Sequence, residues 1–213
     1  MIFDADVPMG NAHGHHEEKP ATAAELATAL ASVKLKKSRS YYGVNADDYN
    51  EVYPGIWISS QYFAKSIPML TKTGITHVLN CAEGSHFMCV NTNATYYDKS
   101  GITYKGIAAA DAPGYNLSQH FQECIEFMAD ARKRNGKILV HCLQGWSRSP
   151  TIVAAYLMQC EGLSARQALV RIRTMREIHP NQGFLELLTV YEAQLRAALQ
   201  SKGEEKRASN ASS

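Results

Sequence analysis

The chain has 213 residues, 45% of them hydrophobic, which suits one domain with a sizeable core and short tails and does not favour two domains. A formal net charge of +2 argues neither for a nucleic-acid partner nor for a membrane surface, and no apolar run approaches the roughly 18 residues of a membrane span. The start, MIFDADVPMG, lacks a basic segment followed by a long hydrophobic core, and five cysteines without disulfide or metal-ligand spacing suit a reducing compartment. A cytoplasmic protein, with the nucleus as a second location, is therefore expected, and its oligomeric state is left open.

Residues 1–20 are mixed in composition and are expected to form a flexible tail. They hold His13, His15 and His16, but no partnering cysteine or carboxylate pattern that would make a metal site. Thr22 and Glu25 have the spacing of a capping box, and Leu26, Leu30 and Val33 recur on one helical face behind it. A loop with Tyr41, Tyr42, Gly43 and Asp47 precedes a strand expected over Val52 to Ser59, a helix over Gln61 to Thr73 and a strand over Thr76 to Cys81. A strand over Ile102 to Ala108 and a helix from near Ser118 to Gly136 follow. That helix carries Phe121, Ile125 and Met128 at core spacing.

Lys137 to His141 reads as a short apolar strand, and Pro150 to Glu161 as a helix with proline in its first turn and Gly162 just past its end. Ser164 and Gln167 cap a helix running to Ile178 and stopped by Pro180, and Asn181 caps the last one. The domain is expected to span 21–200, with a flexible tail over 201–213. Strands alternating with helices predict an α/β fold with a mostly parallel central sheet flanked by helices, whose loops at the strand carboxyl ends build the functional site.

Between that apolar strand and the following helix lies Cys142-Leu143-Gln144-Gly145-Trp146-Ser147-Arg148. Five residues between a cysteine and an arginine let the intervening backbone N–H groups of Leu143, Gln144, Gly145, Trp146 and Ser147 wrap a tetrahedral anion. Arg148 brings a planar fork to two of the anion's oxygens. The helix N-terminus and the guanidinium both favour the thiolate of Cys142, so the loop can bind a phosphoryl group and attack it, without a metal or cofactor. Ser149 either donates to the sulfur as the thiolate leaves or caps the following helix.

The segment HCLQGWSRSPTIVAAYLM, with THVLNCAEG before it and MREIHPNQGF after it, resembles the small atypical dual-specificity protein phosphatases of the VHR type, over about Asn50 to Gln200. The resemblance implies the cysteine-phosphatase fold and hydrolysis of phosphotyrosine and phosphoserine or phosphothreonine through a cysteinyl-phosphate. It implies phosphorylated protein partners, with MAP kinases as a candidate class. Asp111, in the loop Ala108 to Gly114, corresponds by position to the family's general acid, a turn aspartate beside Pro113 and Gly114 being the other local reading. His141 is expected to order the loop and tune the cysteine, and Asn181 to hold the loop from behind through its amide, a helix cap being the other local reading.

Met88 and Trp146 are candidates for an apolar rim beside the substrate ring, with core packing the competing reading for Met88. Arg176 is a candidate for holding a second phosphate or an acidic side chain. Together with Arg166, Arg171 and Arg173 it could meet an acidic phosphopeptide or simply form a solvated face. Cys81 stands where some phosphoinositide phosphatases of the superfamily carry a disulfide partner for the oxidised nucleophile; a buried strand cysteine is the alternative. The variable loop positions Leu143, Gln144 and Trp146 are not basic, which disfavours a phosphoinositide or RNA-end substrate, and the retained Cys142, Arg148 and Asp111 disfavour a non-catalytic phosphopeptide-binding scaffold.

Overall fold

The computed structural model describes residues 19–35 and 48–211. The His13, His15 and His16 cluster and the loop from Tyr41 to Asp47 lie outside the described residues. The elements are α1 (Ala23–Ser32), β1 (Tyr49–Tyr53), β2 (Ile56–Ser59), α2 (Gln61–Ala64), α3 (Ile67–Thr73), β3 (Ile75–Asn80), α4 (Ala94–Tyr97), β4 (Thr103–Gly106), α5 (Phe121–Lys133), β5 (Lys137–His141), α6 (Arg148–Glu161), α7 (Ala165–Met175) and α8 (Gln182–Ala211).

The sheet runs in the order β1-β2-β5-β3-β4, with β1 antiparallel to β2 and the other neighbours parallel. Alternate residues of β5 face opposite layers, as the period of a strand requires. Ile138 and Val140 join the core formed with α1 and α5 to α8, whereas Leu139 joins the smaller core formed with α2, α3 and α4. This is the expected α/β architecture, and it brings the carboxyl ends of β3, β4 and β5 to one edge.

Both capping boxes form, at Thr22 with Glu25 and at Ser164 with Gln167. Leu26 and Leu30 of α1 are buried, Val33 is the residue after the helix, and the Thr189 hydroxyl of α8 donates to the Ala21 carbonyl at 2.9 Å.

Several boundaries differ from the sequence expectation for local reasons. The single strand expected over Val52 to Ser59 is a hairpin: Pro54 offers no N–H and Gly55 takes a φ of 74°, so the chain turns and β1 pairs back on β2. The expected helix over Gln61 to Thr73 is two helices, because Pro68 cannot donate into a continuing ladder and instead sits in the first turn of α3. The helix expected from Ser118 opens with a 3₁₀ turn at Leu117–His120 before α5.

Helix α6 starts at Arg148, two residues before Pro150. Helix α7 ends at Met175, and Arg176 adopts an extended φ of −144°. The domain end expected at residue 200 falls inside α8, which runs unbroken to Ala211 because Ala197, Ala198, Leu199 and Gln200 favour helix and no proline interrupts it.

Candidate active site

Strand β5 delivers Cys142 to the sheet edge, and the loop closes onto the first turn of α6. The Sγ atom accepts from the Gly145 N–H at 3.3 Å and from the Ser149 hydroxyl at 3.4 Å. Burial opposes ionisation of this thiol. The Arg148 guanidinium, the Ser149 hydroxyl and the N–H groups of Ser149 and Gly145 outweigh it and hold the thiol below its ordinary value. Ser149 is thus bonded to the sulfur and is not the helix cap. The cap position of α6 falls to Ser147, whose hydroxyl makes no capping bond because it is directed elsewhere.

Gly145 has to be glycine on two counts. Its φ is +70°, and a Cβ there would meet the Ser59 carbonyl at 2.5 Å. Strand β2 therefore presses directly against the turn of the loop. Leu143 is anchored beside it, its carbonyl accepting from the Gln61 N–H at 2.9 Å.

Arg148 is 1% exposed. Its Nη1 donates to the carbonyls of Met88 and Ala109, each at 3.1 Å, which fixes the guanidinium plane from the side. Its Nε lies 3.4 Å from Asp111 Oδ2, within ion-pair range, yet makes no hydrogen bond. A buried guanidinium N–H without a hydrogen-bond partner is costly unless a ligand supplies the acceptor.

Asp111 comes from the loop after β4. Its Oδ1 accepts from the Ser147 hydroxyl at 2.7 Å and from Asn181 Nδ2 at 2.9 Å. The structure thus brings Cys142, Arg148, Ser149 and Asp111 into one cluster, although they come from two loops separated by more than thirty residues.

Other expectations need correction. Arg176 does not point outward to a second phosphate. It is 4% exposed, and its Nε and Nη2 donate to the carbonyls of Gly145 at 3.0 Å and Gln144 at 2.8 Å, while Nη1 donates to Asn50 Oδ1 at 2.8 Å. Its guanidinium holds the back of the loop, the task expected of Asn181, and the chain leaves α7 at Arg176 to put it there.

Asn181 bonds the Asp111 carboxyl with its amide instead, and reaches the loop through its backbone N–H, which donates to Ser147 Oγ at 3.3 Å. Its Oδ1 also caps α8 through the Phe184 N–H at 3.0 Å, so the helix-cap reading holds too. Arg171 lies over the Tyr53 ring, and Arg173 pairs with Glu177 at 3.5 Å.

Met88 and Trp146 are partly exposed, as a rim requires, and Met88 is not core. Met88 also contributes its backbone, with φ at 69° and its carbonyl on Arg148. The Trp146 ring packs edge-on against His179, whose N–H donates to the Trp146 carbonyl. Gln144 is exposed beside it.

His141 is fully buried, and Nδ1 lies 3.2 Å from the Cys142 carbonyl; a carbonyl only accepts, so Nδ1 carries the proton. Burial, reinforced by Lys65 and Arg148 and opposed by that backbone bond, lowers its pKa to about 4, so the ring is neutral and braces the loop. Cys81 is also fully buried, and burial, with Cys124 and Cys142 nearby, raises its thiol well above the ordinary value. Both Cys81 and Cys142 are free thiols.

Sequence reasoning missed Asn50, the carbonyls of Met88 and Ala109, and the close approach of Gly183 in α8 to the backbone of Pro113, in the loop that carries Asp111. Only Gly183 had a readable signal, a glycine in a helix's first turn.

A buried cysteine whose thiol is held below its ordinary value, an anion-cradling loop and a carboxylate beside it define a cysteine-dependent phosphatase. The comparisons agree. The family described as "Dual specificity phosphatase, catalytic domain" matches residues 56–194. Bovine dual specificity protein phosphatase 26 is 39% identical over 189 residues, covering 88% of this chain and 86% of the relative. Mouse dual specificity protein phosphatase 13B is 39% identical over 185 residues, covering 86% and 90%. The crystal structure of a mouse putative dual specificity phosphatase complexed with zinc tungstate superposes with a TM-score of 0.63 at 26% identity, covering 78% of this chain and 97% of that one. The chain belongs to the dual specificity phosphatase family, and it is a cysteine-based protein phosphatase.

Proposed function

We propose that the protein removes phosphate from phosphotyrosine and from phosphoserine or phosphothreonine of partner proteins, with MAP kinases as the substrate class, in the cytoplasm and nucleus. The observation that carries the chemistry is the buried Arg148 Nε without a hydrogen bond, next to a sulfur held by donors. A phosphoryl oxygen completes that nitrogen, and Nε and Nη2 then form the fork that grips two oxygens.

Cys142 Sγ attacks phosphorus, the bond to the leaving oxygen breaks, and Asp111 gives that oxygen a proton. Water then attacks the cysteinyl-phosphate and loses a proton to Asp111. The sulfur–phosphorus bond breaks, and the departing thiolate is received by the Ser149 hydroxyl. Preorganised donors around the phosphoryl oxygens supply the electrostatic part of the acceleration.

The half-exposed Trp146 and Met88 suit an aryl ring at the mouth, and the loop side chains Leu143, Gln144 and Trp146 bring no charge for a polyphosphorylated lipid or an RNA end. The test is turnover of phosphotyrosine, phosphothreonine, phosphoinositide and RNA-end substrates by the purified protein in the presence of a chelator. Turnover of the two phosphopeptides and its loss in Cys142→Ser are expected. Metal dependence, activity surviving Cys142→Ser, or faster turnover of the phosphoinositide would overturn the reading.

A further inference from the structure

Asp111 is held by more than its own loop. Its Oδ1 receives two donors, the Ser147 hydroxyl at 2.7 Å and the Asn181 amide at 2.9 Å, and two hydrogen bonds occupy the two lone pairs of one carboxyl oxygen. Both donors are themselves oriented by a third party. The Asn181 backbone N–H points at Ser147 Oγ, 3.3 Å away, and can only donate, so the serine's own proton is free to face Asp111. Asn181 Oδ1 is committed to the Phe184 N–H at the start of α8, which turns Nδ2 toward Asp111. Ser147 is buried and fixed further by the Thr151 hydroxyl, which donates to its carbonyl at 2.8 Å. The other oxygen, Oδ2, lies 3.4 Å from Arg148 Nε with no hydrogen bond formed between them.

We propose that Ser147 and Asn181 are positioning residues for the general acid: they clasp Oδ1 and so reserve Oδ2 as the oxygen that carries the proton to the leaving group. The inference rests on Asp111 being the acid. It adds that one hydroxyl, Ser147 Oγ, joins the phosphate loop, the acid loop and the first turn of α8. Movement of any of the three is then felt at the proton. On phosphate binding Arg148 Nε donates its unused N–H to a phosphoryl oxygen, and Oδ2 is left beside the leaving atom while Oδ1 stays held.

Two substitutions separate this role from simple support of the fold. Ser147→Ala removes the hydroxyl without removing a helix cap, since that side chain makes none. Asn181→Ser keeps a competent cap for α8 and withdraws the Nδ2 donor, because serine and asparagine are about equal at that position. Each variant is assayed for kcat and KM with phenyl phosphate, a poor leaving group, and with p-nitrophenyl phosphate, an activated one. Each is also made in the Asp111→Asn background, and tungstate inhibition reads the phosphate cradle separately.

The expected result is a loss of kcat of roughly tenfold on phenyl phosphate, within the total that general acid catalysis supplies, and less than about twofold on the nitrophenyl ester. KM and tungstate affinity should stay unchanged, and there should be no further loss once Asp111 is asparagine. Equal losses on both esters, weakened tungstate binding, or an undiminished effect in the Asp111→Asn background would overturn the clasp. If Asp111→Asn itself shows no dependence on the leaving group, the assignment of the acid fails instead, a different and recognisable outcome.

Discussion

Replacing Gly183 by alanine should move the loop that carries Asp111 without touching Cys142. Gly183 is the second residue of α8 and packs directly on the backbone of Pro113, two residues after Asp111. A Cβ there would overlap the Pro113 carbonyl oxygen and lie 2.7 Å from its carbon and 3.0 Å from its Cα, where ordinary contact needs 3.4 to 4 Å. All three atoms are main chain, so no side chain can swing aside. The loop and the helix must part by more than about 1 Å, and a displacement of about 1 Å at a reacting group already costs up to roughly 10²-fold in rate. Overpacking costs about 1–3 kcal/mol, partly offset by the better helix propensity of alanine, so the protein should fold with a modest fall in Tm. The assay is kcat for phenyl phosphate and for p-nitrophenyl phosphate, with tungstate inhibition measured alongside. A drop of about 10- to 100-fold on the poor leaving group, a smaller one on the activated ester, and unchanged tungstate affinity are expected. Wild-type kcat on phenyl phosphate, or a tungstate affinity that falls in step with kcat, would refute the reasoning.

Arg176→Ala should weaken tungstate binding by about tenfold and lower stability by roughly 2–4 kcal/mol, because it strips charged donors from two loop carbonyls. A defect confined to doubly phosphorylated peptides would restore a substrate-docking role for this arginine. His141 has a folded pKa of about 4 against an ordinary 6.5, so the unfolded chain binds the proton first as pH falls. Its contribution is complete above 6.5 and is lost toward 4, by as much as roughly 3 kcal/mol. Urea unfolding across that window should show a shallower pH slope for His141→Asn than for wild type, and equal slopes would exclude the buried neutral ring as the source. After mild peroxide, the Cys142 sulfenic acid should condense with the Cys81 thiol, forming a disulfide and releasing water, with activity restored by a thiol reagent. Equal recovery in Cys81→Ser, followed by peptide mass spectrometry, would return Cys81 to the core.

The sequence by itself determined the chemistry wherever that chemistry is local. Cys142, Arg148 and Ser149 lie within eight residues, and a strand, a loop and a helix N-terminus in that order place a sulfur among donors whatever the rest of the chain does. The capping boxes at Thr22 and Ser164, and the alternation that gives a parallel sheet, were legible for the same reason. Where two signals competed, the longer pattern misled: apolar continuity hid the Pro54-Gly55 turn, and helical periodicity hid the break before Pro68.

Only the tertiary structure decided what the distant polar groups do. Nothing in the local sequence of Arg176 says whether its guanidinium meets solvent or the carbonyls of Gly145 and Gln144, because those carbonyls lie thirty-one and thirty-two positions away. Nor could Asn181 be matched to Asp111, seventy residues apart, until β4, β5 and the start of α8 were folded against one another. Side-chain hydrogen bonds reach about 3 Å, and which residues come that close is settled by packing, which no pattern along the chain records.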